Sequence, residues 1–213
     1  MENKLCDNPQ NEKAKPFVDK LKPFPGDEEG KWKVLESKYL IKRPWMTVRC
    51  EHTRLPNGNE CEEYYVLEYP SWINVIALTR DGKMIMERQY RHAMGVTRFE
   101  LCAGIMDPTD KDPEAAARRE LLEETGYQGG QWEEFAVLAQ NPGSNNNLTH
   151  TFLARNVEPT GQRHLEKTED ISVYLKEPQE VLEMLRSGHI IQALHAAPLW
   201  KFFYMLKTGE ITL

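Results

Sequence analysis

The sequence has no apolar run approaching about 18 residues, so no membrane-spanning helix is expected. Its N-terminus lacks the apolar core of a secretory signal. Cysteine is scarce: Cys6, Cys50, Cys61 and Cys102 have neither metal-ligand spacing nor the density of a disulfide framework. A reduced, cytoplasmic setting is the expectation. Basic residues are in deficit, 27 Lys and Arg against 33 Asp and Glu, which leaves a formal net charge of −6. That balance argues against a broad nucleic-acid surface while leaving room for a nucleotide pocket. His150, His164, His189 and His195 share no ligand spacing, so no histidine metal site is expected. There is no internal repeat.

What the chain does have is 40% apolar residues in 213, enough for a core. Residues 1–30 are rich in Lys, Glu, Asp, Asn and Pro and read as a poorly ordered lead-in. A β-rich segment, 31–70, follows, with strands expected over 32–42, 45–54 and 60–69 around the Pro56-Asn57-Gly58-Asn59 turn. Cys50 and Cys61 are not opposite each other around that turn, so no cross-strand disulfide is expected. The main domain, 71–213, opens with a hairpin of strands 72–79 and 83–90 around Asp81-Gly82. Further strands are expected at 99–103, 135–139, 148–154 and 171–175, and helices at 178–187 and 190–206, the last bent near Pro198. Strands, a helix, strands and then helices make the fold class α+β.

The most ordered signal spans residues 113–125. Asp112 is a good N-cap, Pro113 suits the first helical position and Glu114 favours the positive end of the helix dipole. Ala115, Ala116 and Ala117 are strong helix formers, and Gly126 supplies the left-handed C-cap. On this helix Glu120 and Glu124 are four apart and share a face, with Glu123 at its border. Carboxylates gathered this way repel one another unless they are well solvated or neutralised by a cation, and hard oxygen donors suit Mg²⁺ or Mn²⁺. Arg119 can pair with a carboxylate and hold it in position. A solvated acidic face is the plainer reading of the carboxylates alone. The whole string of Arg, three Glu, Gly and two apolar positions arises by chance in such a chain with odds on the order of 10⁻⁵.

Residues Arg119 to Tyr127 resemble the second half of the Nudix hydrolase box, Arg-Glu-apolar-x-Glu-Glu-x-Gly-apolar. In the first half, Gly104 is followed by five residues and then Asp110, and eight more lead to Arg119. The chain therefore departs from the family by one inserted residue and by Asp110, or Lys111, in place of the first Glu. Gln89-Tyr90-Arg91 and Glu100-Leu101-Cys102-Ala103-Gly104 resemble the ADP-ribose pyrophosphatase branch, with Cys102 where Pro is usual. Pro142, fifteen residues beyond Tyr127, resembles a marker of that branch, although Asn145, Asn146 and Asn147 stand where an acid is often found.

The resemblance implies a mixed β-sheet sandwiched between helices, preceded by an extra N-terminal antiparallel sheet. It implies Mg²⁺-dependent hydrolysis of a nucleoside diphosphate sugar, ADP-ribose by preference, with no nucleic-acid or membrane partner. It implies Glu120, Glu124 and the Ala103 carbonyl as metal ligands, and Glu123 as a further ligand or as the group that orients the attacking water. Arg119 positions these acids. Arg91 grips a phosphate, and Glu100 clamps Arg119 or orients a substrate group. Glu169, with Glu166 as the alternative, is the loop acid that reaches the metals or acts as base. Trp45 and Tyr90 are candidates to stack on a nucleobase, though strand aromatics are more often core. Pro142 lines the substrate site. A homodimer is implied, in which the N-terminal segment crosses to the partner and Trp45 faces the partner's ligand or interface. The competing expectations are another nucleotide sugar or dinucleotide as substrate, and a Nudix-fold sensor that binds without cleaving.

Overall fold

The computed structural model describes residue 21 and residues 24–213. Most of the expected lead-in, and Cys6 with it, lies outside the described residues. The described chain divides into two compact units, one formed by residues up to Pro70 with Ala139–Leu148, the other by Ser71–Leu138 with Thr149–Leu213.

In the smaller unit, strands β1 (Lys33–Arg43), β2 (Met46–Arg54) and β3 (Glu60–Glu68) form an antiparallel sheet in the order β1-β2-β3. Register pairs Cys50 with Tyr65 and Cys61 with Thr53, so the two thiols are apart and both are free. Trp45 sits in the turn between β1 and β2 rather than in a strand, and it is 78% exposed. The expectation that strand aromatics are core fails there, and it fails for Tyr90 in the larger unit, which is 54% exposed. Residues 141–147 are stitched to β3 and its C-terminal end. Leu67 N–H donates to the Ser144 carbonyl at 2.8 Å, and Asn146 N–H donates to the Leu67 carbonyl at 3.2 Å. Asn147, buried, donates its amide to the Pro70 carbonyl at 3.0 Å. The Asn run thus has a structural use: short amide side chains complete a loop whose backbone has no strand partner on that side.

The larger unit is an eight-stranded mixed sheet. Its strands are β4 (Trp72–Thr79), β5 (Met84–Arg91), β6 (Val96–Glu100), β7 (Cys102–Ile105), β8 (Tyr127–Gln128), β9 (Gln131–Leu138), β10 (Thr149–Pro159) and β11 (Ile171–Lys176). The central order is β11-β5-β4-β10-β8, with β4 and β10 parallel. Two helical layers cover it, as alternation along β4 requires. Ile73, Val75 and Ala77 pack with Ala116, Ala117 and Leu121 of the first helix, whereas Ile76 and Leu78 pack with Val181, Leu185, Leu199 and Phe202 of the C-terminal helices. Those helices are α2 (Pro178–Arg186) and α3 (Ala193–Thr208).

Two local expectations need correction. The segment 99–103 is not one strand. Chain pairing with β5 ends at Glu100, and from Cys102 the chain pairs with β4 instead, Asn74 facing Ala103 and Val75 facing Cys102. Leu101 is the fully buried residue at the changeover. Helix α3 starts at Ala193 and not at Ile190, because Gln192 is extended, with ψ 122°. Pro198 lies inside α3. Having no N–H, it cannot bond the Leu194 carbonyl one turn back. That carbonyl instead accepts the Asn74 side-chain amide at 2.6 Å. The start of α3 is thereby pinned to the central strand β4, opposite Ala103.

Candidate active site

The expected helix forms over its whole span, with one change of pitch. Helix α1 runs Pro113–Glu120 and continues as a π-helical turn over Leu121–Thr125. Asp112 caps it by accepting from Ala115 N–H at 2.8 Å, and Gly126 ends it at φ 74°. Wide turns of this kind recur at functional sites. Here the turn carries Glu123 and Glu124 directly after Glu120.

Glu120 and Glu124 are 7% and 4% exposed, so the solvated acidic face is excluded. The Glu120 carboxylate lies against Gly104, where a Cβ would stand 2.2 Å from its carboxyl carbon. Glycine is required there for the strand end and the carboxylate to meet. Glu124 accepts the Ala103 N–H at 3.2 Å, so both carboxylates converge on the Ala103-Gly104 backbone. Burial raises each from the ordinary 4.5 to about 7. The negative charge of Glu169 adds to the rise in both, which places Glu169 within electrostatic reach of the pair. Glu166 is not among the leading charges on either acid, and its N–H donates to the Glu169 carboxylate at 2.9 Å. The loop that brings Glu169 there is tied to the π turn. Arg163 Nε donates to the Glu124 carbonyl at 2.6 Å, and His164 N–H donates to the Glu123 carbonyl at 3.0 Å.

Arg119 holds the other side. Its Nε and Nη2 donate to Asp110 at 3.1 and 2.9 Å, its Nη1 to Glu123 at 2.9 Å, and its Nη2 also to the Ile105 carbonyl at 3.1 Å. Nη1 lies 3.0 Å from Glu120 Oε1. The Arg119 fork holds the Asp110 carboxyl below its ordinary range. Of the two candidates Asp110 and Lys111, it is Asp110 that Arg119 holds.

The expected clamp of Glu100 on Arg119 is not formed. Glu100, 2% exposed, is engaged by Arg91, whose Nε lies 3.0 Å from both carboxylate oxygens and whose Nη2 bonds Oε2. The reason is register: Glu100 and Arg91 belong to the paired strands β6 and β5, whereas Arg119 is satisfied by its own loop and helix. Sequence reasoning also missed Glu87. It is 4% exposed, and its carboxylate lies with Cys102 Sγ and Glu124 in a group of ligand-type atoms all within 4.8 Å of one another. Glu87 follows buried Ile85 by two positions, so strand alternation aims it at α1, and that signal was available. Burial and the Glu124 charge push the Glu87 carboxyl well above its ordinary range, and burial does the same to the Cys102 thiol. Gln192 and His195 are the other residues missed. With Trp72, Arg91, Ala103 and Gly104 they line a cavity of about 230 Å³. A larger cavity of about 740 Å³, lined by Trp200, Phe203 and Tyr204, contains none of these acids.

The donors fit a divalent cation. Glu120 and Glu124 supply hard oxygens, the Ala103-Gly104 backbone adjoins them, and Glu87 Oε1 is buried with no hydrogen-bond partner among the described residues.

The chain is similar to known proteins over most of its length. The family profile described as the NUDIX domain matches residues 69–194, and that of the nucleoside diphosphate sugar hydrolase N-terminal domain matches residues 32–67. An ADP-ribose pyrophosphatase of Bacillus subtilis is 30% identical over 167 residues, 76% of this chain and 89% of that protein. A GDP-mannose pyrophosphatase of Citrobacter koseri is 29% identical over 186 residues, 84% of this chain and 85% of that protein. A solved structure described as an ADP compounds hydrolase superposes with a TM-score of 0.72 at 19% identity, covering 84% of this chain and 96% of its own.

The raised carboxyls give a pH dependence. Between the ordinary 4.5 and about 7 the folded chain holds protons that the unfolded chain has released. These two groups therefore favour folding at low pH and lose that advantage as pH rises through about 7. Across that interval each acid costs the folded chain on the order of 1 kcal/mol for every step of one in pH. In a chain of this size 1 kcal/mol corresponds to about 2–4 °C in Tm. A divalent cation requires the ionised acids, so the Tm gain it gives grows across the same interval. Thermal melts in chelator should show Tm falling from about pH 5.5 to about pH 8, with the metal-induced gain larger at the upper end. A larger gain at the lower end would contradict the assignment.

Proposed function

The chain belongs to the NUDIX family, and we propose that it uses Mg²⁺ to hydrolyse ADP-ribose to AMP and ribose 5-phosphate. At the coarser level it is a nucleoside diphosphate sugar hydrolase of the pyrophosphatase type. The observation that carries the reading is the pair of buried acids, Glu120 and Glu124, converging on Ala103-Gly104 beside Arg91.

Glu120, Glu124 and the Ala103 carbonyl would hold the cation. Bound there, it supplies a Lewis acid to the phosphate oxygens. The protein's own groups do the rest. Arg91 spends Nε and Nη2 on Glu100, which leaves Nη1 to donate to a phosphate oxygen. Arg119 fixes Glu120 and Glu123 in place, and Glu123 orients the attacking water. Glu169 takes that water's proton as the oxygen adds to phosphorus and the bridging P–O bond breaks. The charge of Glu169 on Glu120 and Glu124 supports it over Glu166. On the smaller unit, exposed Trp45 and Pro142 are assigned to substrate contact and β1–β3 to a homodimer interface. The exposed apolar residues Val34, Leu40, Ile41 and Met46 support that interface. The setting is taken to be cytoplasmic, and no helix among the described residues is long and apolar enough to cross a membrane.

Turnover of a panel of ADP-ribose, GDP-mannose, dinucleoside polyphosphates and NADH with Mg²⁺ tests the substrate. ADP-ribose should have the highest kcat/KM, and GDP-mannose in first place would move the specificity to a hexose while keeping the reaction. Glu124→Gln should lower kcat at least about 100-fold with the fold intact. A loss below about threefold would remove Glu124 from the metal site. Light scattering at micromolar concentration should give twice the 24.8 kDa chain mass, and a monomer would remove the interface assigned to β1–β3.

A further inference from the structure

The Arg91–Glu100 pair does not stand alone. Gln192, the residue before α3, donates its side-chain amide to Glu100 Oε1 at 2.5 Å. His195, in the first turn of α3 and completely buried, places Nε2 3.7 Å from Glu100 Oε2. The segment bearing both is anchored on β4 by Asn74, which is itself fully buried and faces Ala103 across the sheet. The start of the C-terminal helix and the strand bearing Arg91 are thus connected through one buried carboxylate. Burial, with the Arg91 charge beside it, keeps the His195 imidazole neutral down to about 3. His195 therefore does not compete with Arg91 as a counter-charge, and it closes the far side of Glu100 as a neutral wall.

Arg91 is partly exposed on the cavity, and a guanidinium bound by one carboxylate still swings about the axis of that pair. An amide that binds the same carboxylate from a second element removes that freedom. We infer that Gln192 is a positioning residue for the pyrophosphatase reaction: it locks Glu100 so that the free edge of Arg91 faces the phosphate site, with His195 and the Asn74-anchored start of α3 holding Gln192 in place. This rests on Arg91 being the phosphate-binding group of the proposed function. The binding step is accordingly governed in part by the C-terminal helix, whose side chains provide no metal ligand.

The experiment compares Gln192→Met, which keeps side-chain volume and removes the amide, with Arg91→Ala and the double variant in the full-length protein, using ADP-ribose and Mg²⁺. Gln192→Met should raise KM about tenfold, the scale of one hydrogen bond to a charged group, with kcat changed less than about threefold and the metal-induced Tm gain unaltered. In the Arg91→Ala background the same change should add little to KM, because the residue it positions is gone. An unaltered KM in Gln192→Met alongside a raised KM in Arg91→Ala would overturn the role of Gln192 and leave that of Arg91 standing. An equal rise in both backgrounds would also overturn it, since Gln192 would then act elsewhere. An unaltered KM in Arg91→Ala would overturn both this inference and the phosphate-binding role on which it rests.

Discussion

A single guanidinium sets the geometry of the catalytic edge. Arg119 meets Asp110 from the loop, the Ile105 carbonyl from β7, and Glu120 and Glu123 from the helix. A loop, a strand end and a helix are tied at one fork. Arginine suits this because its donors lie in one plane and remain charged. Replacing it by Lys would keep the charge and lose the simultaneous contacts. Both carboxylate oxygens of Asp110 reach the fork, at 3.1 and 2.9 Å.

Around that fork the protein buries more carboxyl groups than it has guanidinium groups to pair them with. Glu87, Glu100, Glu120 and Glu124 are all buried, and within reach are Arg91, Arg119 and Arg163, of which Arg91 and Arg119 are committed to particular acids. A site in this condition binds a cation by relieving an existing electrostatic cost, and its affinity is coupled to proton release. The same excess of buried acid makes the site a poor contributor to the stability of the metal-free chain. The sheet and its two helical layers hold the acids together in spite of their repulsion.

The sequence was most readable where local rules decide the structure. Capping at Asp112, proline at the first helical position and glycine at 126 fixed the helix on both ends, and the spacing of Glu120 and Glu124 predicted a shared face, though not that the face is buried. Most strand positions followed from alternation and turn residues. The failures have a common cause, which is that pairing across the sheet cannot be read along one chain. The strand expected at 99–103 divides because its two halves have different partners. Glu100 chose Arg91 over Arg119 by register. Asn74, Gln192 and His195 carry no local signature, because Asn74 answers a carbonyl that Pro198 leaves unpaired and the other two face Glu100 from a distant part of the chain. Trp45 and Tyr90 look like core residues by type and are exposed because nothing among the described residues covers them.

The excursion of Ala139–Leu148 into the smaller unit has a consequence for the order of synthesis. Leu67 of β3 takes its backbone partners from Ser144 and Asn146, so strands that leave the ribosome early wait for a segment made much later. Immediately behind that segment comes β10, the parallel partner of β4 at the centre of the larger sheet. Neither unit can therefore close first in the manner of an independent N-terminal domain. A nascent protein arrested before residues 139–159 would leave Leu67 of β3 and the β10 side of β4 without their partners at once. The stretch around residues 139–159 thus supplies partners to both units, and insertions there would be felt by both.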